Sequence, residues 1–75
     1  MMKLPRVSAS EAIRALKKAG FFLVRQSGSH KIYKNNDNKR VTIPFHRGKI
    51  IHLKVLSCIL KDADLSVEKF KELMK

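Results

Sequence analysis

Seventy-five residues, with one cysteine and 17 Lys+Arg against six Asp+Glu, describe one small domain over residues 1–75 with a formal charge of +11. So short a chain buries only a modest core, and the lone Cys58 excludes an intramolecular disulfide. No apolar run is long enough to span a bilayer, the start Met1-Met2-Lys3-Leu4-Pro5-Arg6 lacks a signal-peptide core, and the cysteine usage suits a reducing cytoplasm.

Val7-Ser8-Ala9-Ser10-Glu11 reads as a helix start. The Ser8 hydroxyl accepts from the Glu11 N–H while the Glu11 carboxylate reaches back to Ser8, with Val7 packing on Ala12. Ala12, Ile13, Leu16 and Ala19 then share a face, and Gly20 ends the helix. Phe21 to Gln26 is apolar and aromatic and predicts a strand, followed by a Ser27-Gly28-Ser29 turn. His30 to Lys34 alternates with period two, Asn35 to Asn38 is a polar reversal, and Lys39 to Ile43 is a third strand stopped by Pro44. Short links favour an antiparallel meander. After a loop carrying His46, Arg47, Gly48 and Lys49, a helix runs from about Leu53 with Leu56, Ile59, Leu60 and Ala63 on one face. Ser66 caps a last helix whose apolar positions are Val67, Phe70, Leu73 and Met74. The order α-β-β-β-α-α predicts a two-layer α+β fold, with the helices covering one face of a three-stranded antiparallel sheet. The same order underlies double-stranded-RNA-binding domains. Phe21, Phe22, Phe45, Phe70 and Cys58 are expected in the core, and Tyr33 either there or outside as a base-stacking ring.

The charge is uneven. Arg25, Lys31, Lys34, Lys39, Arg40, Arg47 and Lys49 face one acidic residue, Asp37, between positions 25 and 49, whereas the segment from Lys61 onward is balanced. A localised basic surface attracts polyanions, and phosphate contacts release condensed counterions, so a nucleic acid is the expected partner. His30, His46, His52 and Cys58 lack the close paired spacing of a zinc site, and neither a metal nor another cofactor is expected. His30 follows a turn in which Gly28 and Ser29 bring backbone close to a ligand, and Lys31 and Lys34 flank it. An imidazole there suits removal of a proton from a ribose 2′-hydroxyl, with a nearby cation stabilising the phosphorane. Lys31 is the first candidate for that cation, although strand alternation turns it to the other face. Taken alone, one histidine is weak grounds for catalysis, and phosphate binding or turn capping is the more economical reading.

Gly28-Ser29-His30 followed by Tyr33, then Val41-Thr42-Ile43-Pro44-Phe45-His46, resembles the HicA toxins, the mRNA-cleaving halves of HicA/HicB toxin–antitoxin pairs. Lys3-Leu4-Pro5-Arg6-Val7-Ser8, Gly20-Phe21 and Ile59-Leu60-Lys61-Asp62-Ala63 are similar to the family's other landmarks, so the likeness runs nearly end to end. The resemblance implies a dsRBD-like fold, metal-independent endoribonuclease activity on mRNA, a HicB-type antitoxin as partner, and a catalytic histidine falling on His30. The RNA-contacting set would then include Gly28, Ser29, Lys31, Lys34, Lys39, Arg40, His46, Arg47 and Lys49. His46 matches the family's Pro-x-His histidine, with a loop-fixing role placed ahead of RNA contact, and His52 is read as a surface residue. The chain departs from the pattern at Lys54-Val55, where a Gly-Thr pair is usual, and at Asp64, where a glycine is usual. The alternative to an enzyme is a non-catalytic module binding double-stranded or ribosomal RNA on the same face. A DNA-binding regulator is disfavoured by the absence of helix-turn-helix spacing.

Overall fold

The computed structural model describes residues 4–75. Met1–Lys3, and with them part of the start read for a signal peptide and the Lys3 of the family-like opening, lie outside the described residues. The elements are α1 (Ala9–Lys18), β1 (Phe22–Ser27), β2 (His30–Lys34), β3 (Arg40–Pro44), α2 (Leu53–Ala63) and α3 (Val67–Leu73), in the expected α+β order. The sheet is an antiparallel meander with β2 in the centre.

The capping box forms as read: the Glu11 N–H donates to Ser8 Oγ at 3.2 Å, and the Ser8 N–H to Glu11 Oε1 at 3.0 Å. At the other end of α1, Gly20 takes a φ of +97°. Its N–H donates to the Lys17 carbonyl, and the Phe21 N–H donates to the Leu16 carbonyl at 2.9 Å, while Phe21 and Leu16 are both buried. This is a Schellman closure, and it turns the chain into β1 one residue later than the hydrophobic run suggested. The α2 helix closes the same way, with Asp64 left-handed (φ 58°, ψ 42°) and the Leu65 N–H donating to the Leu60 carbonyl. A left-handed position is where glycine is cheapest, which gives a physical reason for the glycine usual there in the family.

The core joins α1, β2, β3, α2 and α3 through Leu16, Tyr33, Val41, Ile43, Leu56, Ile59 and Phe70. Tyr33 is thus a core residue and not a stacking platform. Both α1 and α2 lie over β3, and α1 also meets α3. This seating leaves β1 uncovered: all six of its residues are exposed, including Phe22 at 46%. Phe22 is therefore not in the core, and Phe45 only packs on its margin. Cys58 is likewise exposed. It lies two residues, about 200° around the helix, from Leu56 on the buried stripe, so it points away from the sheet.

Candidate nucleic-acid interface

The turn between β1 and β2 is two residues long, one shorter than the sequence suggested, because Ser27 pairs directly with His30. Gly28 has a φ of +58° and Ser29 does not share the positive sign, the pattern of a type II′ hairpin turn. Register follows from that turn. Ser27, His30 and Pro44 line up across the three strands, and Arg25, Ile32 and Thr42 form the next row on the same face. Buried Tyr33, Val41 and Ile43 mark the helix-facing side, so His30, Ile32 and Lys34 project from the open side, with Arg25 and Arg40. His30 is exposed at the end of the central strand. The turn beside it is tied down: the Phe45 N–H donates to the Ser29 carbonyl at 2.6 Å, joining the β1–β2 turn to the loop after β3.

Lys31 faces the helix side. Its Nζ sits 4.1 Å from the centre of the Phe45 ring, a cation–π contact that pins the loop from the opposite face. Strand alternation therefore separates Lys31 from His30, and the cation nearest in register on His30's own side is Arg25, diagonal across β1. The three-residue turn that the sequence suggests would pair His30 with Gln26 and put Arg25 on the other face.

The remaining candidates divide between the two ends of the sheet. His46, Arg47, Gly48 and Lys49 form an exposed turn just beyond Pro44, closed by the Lys49 N–H donating to the His46 carbonyl at 3.1 Å. His46 and Lys49 line a groove of about 300 Å³ with Pro44, Ile50, His52 and Val55. Gly28, Ser29, His30, His46, Arg47 and Lys49 thus gather at one end. Lys34, Lys39 and Arg40 lie at the other, about 13 Å from His30 at roughly 3.3 Å per strand residue. There Lys39 is held in the β2–β3 turn by its N–H to Asn35 Oδ1 at 2.9 Å. His52 does more than decorate the surface: it is the N-cap of α2, its Nδ1 accepting from the Lys54 N–H at 3.1 Å. A side-chain acceptor at the helix start is legible in Ser or Asp but easily overlooked in histidine.

No His, Cys, Asp or Glu group of three or more comes together to hold a metal ion among the described residues. None of the described helices is long and apolar enough to cross a membrane. The model of the family described as "HicA toxin of bacterial toxin-antitoxin" matches residues 9–65, well over half of the chain. No curated protein matches it.

Proposed function

The chain belongs to the HicA toxin family, the toxins of bacterial toxin–antitoxin systems, and from that premise we propose that it is a metal-independent endoribonuclease acting on mRNA in the cytoplasm. The observation that carries the reading is His30: an exposed imidazole at the end of the central strand, beside a glycine turn and among basic residues that attract phosphate. RNA supplies its own nucleophile, so the protein needs only to orient it, accept a proton and stabilise charge. In this mechanism His30 accepts the proton of a ribose 2′-hydroxyl. The 2′-oxygen forms a bond to the adjacent phosphorus, the P–O5′ bond breaks, and the departing oxygen takes a proton from solvent. The products are a 2′,3′-cyclic phosphate and a free 5′-hydroxyl.

Arg25 takes the charge-stabilising role first given to Lys31. A diagonal cross-strand neighbour lies about 7–8 Å away, and somewhat less at Cβ, within reach of a guanidinium that can clamp phosphate oxygens in pairs. Gly28, Ser29, His46, Arg47 and Lys49 position the backbone near the scissile bond, while Lys34, Lys39 and Arg40 hold the strand further along. Lys31 contributes through the loop it pins and through the general field. The toxin's partner is a HicB-type antitoxin that occludes His30, an acidic protein suiting the +11 charge. The test is product chemistry. RNA incubated with purified protein in excess chelator should yield fragments ending in cyclic phosphate. Fragments ending in 3′-hydroxyl, activity lost to the chelator, or cleavage of DNA alone would overturn the mechanism.

A further inference from the structure

We propose that the outer edge of β1, centred on Leu23 and Val24, is the anchor for an extended, acidic strand of the antitoxin, which adds to the sheet as a fourth strand. The inference rests on the family reading for the existence of an antitoxin. Its place on the molecule comes from four observations.

First, β1 is an edge strand, bonded to β2 on one side only, so alternate N–H and C=O groups along its other side point outward. Second, three consecutive large apolar residues are open to solvent there: Phe22 and Leu23 at 46% and Val24 at 44%. Soluble chains seldom leave such a run on a free edge without a use for it. Third, the helices sit over β3 and leave the helix-facing side of β1 unfilled, so Leu23, opposite buried Tyr33, flanks an unoccupied margin of the core. Fourth, the rim is cationic. Val24, Arg25, Lys34, Asn38 and Arg40 surround a shallow hollow of about 550 Å³, with Asp37 in the adjoining turn the only acidic residue between positions 25 and 49.

These features select the occupant. A strand with apolar side chains flanked by carboxylates satisfies the backbone groups, the apolar run and the cations together. A second copy of this chain fits poorly, because each copy carries +11 and brings the same cations to the edge. The ladder is also irregular: Leu23 pairs with Tyr33 but Arg25 with Ile32, leaving Val24 as a bulge. A bulge discourages indiscriminate edge pairing and favours a partner shaped to it. RNA fits less well, because Leu23 and Val24 at the centre of the run are aliphatic and Phe22 alone offers a ring for a base to stack on. A strand laid along β1 ends beside Ser27, in register with His30, so anchoring there brings the antitoxin to the catalytic end and onto Arg25, while its apolar hold is on Leu23 and Val24, which take no part in the chemistry.

The experiment uses the full-length toxin and its co-expressed, purified antitoxin. Leu23→Ser and Val24→Asp are exposed changes, and unfolding curves check that each variant folds. Each should weaken antitoxin binding by roughly tenfold or more while leaving cleavage of RNA by the free toxin unchanged. Amide exchange in the wild-type complex should show protection across 22–24. Wild-type antitoxin affinity in both variants, or unprotected amides over 22–24, would overturn the proposal. Equal loss of RNA cleavage would reassign the edge to RNA, and a free-toxin dimer dissolved by either variant would reassign it to self-association. A wild-type toxin that ignores the antitoxin would instead overturn the partner reading on which the proposal rests.

Discussion

Replacing Gly28 by alanine tests whether the β1–β2 turn positions His30. Gly28 has a φ of +58°, and a Cβ built there meets nothing within 4 Å. The cost is therefore one of backbone conformation and not of crowding. An L-residue in this region costs about 1–2 kcal/mol, offset by roughly 0.4–1 kcal/mol because alanine stiffens the unfolded chain. The net is about 1 kcal/mol, or a fall in Tm of roughly 4–8 °C for a domain of this size. The chain relieves that strain by rotating the turn, which disturbs the Ser27–His30 pairing and the Phe45 N–H bond to the Ser29 carbonyl. A misplacement of about 1 Å in a catalytic group can cost on the order of a hundredfold in rate. Gly20→Ala is the matched control: its φ is +97°, it also faces open space, and it lies at the opposite end of β1. Thermal unfolding should show similar losses for the two variants, whereas RNA cleavage should fall only in Gly28→Ala. A Gly28→Ala protein with wild-type Tm, or equal activity in the two variants, would refute the reasoning.

Asp64→Gly should stabilise the protein by about 0.5–1 kcal/mol, read as a rise in Tm, because Asp64 holds a left-handed φ of 58° at the end of α2. Burial raises the Tyr33 hydroxyl above its ordinary value of about 10. The folded state then holds that proton more tightly, so the stabilisation is whole below about pH 10 and is lost as pH rises through the folded value. Tyr33→Phe should lose less Tm than wild type across that alkaline range, and parallel curves would contradict the assignment. For RNA binding, Arg47→Glu and Lys39→Glu should each flatten the slope of log affinity against log salt by about one or more, and Lys31→Glu should change it least, since Lys31 faces the helix side. An unchanged slope in Arg47→Glu and Lys39→Glu would move the basic interface elsewhere.

Much of the fold was legible because local signals agreed with global packing. Ser8 and Glu11 formed the box their spacing promised, and Leu56, Ile59, Leu60 and Ala63 formed the buried stripe of α2. The misreadings share one cause: they concern what a residue meets, not what it prefers. Residue type puts Cys58 inside, whereas its angular position sets it opposite the stripe. Its aromatic ring favours burial for Phe22, but the helices lie over β3 and leave β1 bare. At the candidate site, the glycine turn and the place of His30 at a strand end beside it were readable. The length of that turn was not, and one residue of register decides whether Arg25 or Gln26 shares the histidine's face. The bulge at Val24 leaves no sequence signature, since valine is an ordinary strand residue.

The central claim is that His30 does the chemistry while other residues hold the RNA. It is tested most directly by comparing wild type and His30→Ala for RNA cleavage in excess chelator, with RNA binding and unfolding measured on the same preparations. Because His30 is exposed, its replacement should leave the fold intact. The His30→Ala protein should retain wild-type Tm and most RNA affinity yet yield no cleavage products. Cleavage persisting in folded His30→Ala would contradict it.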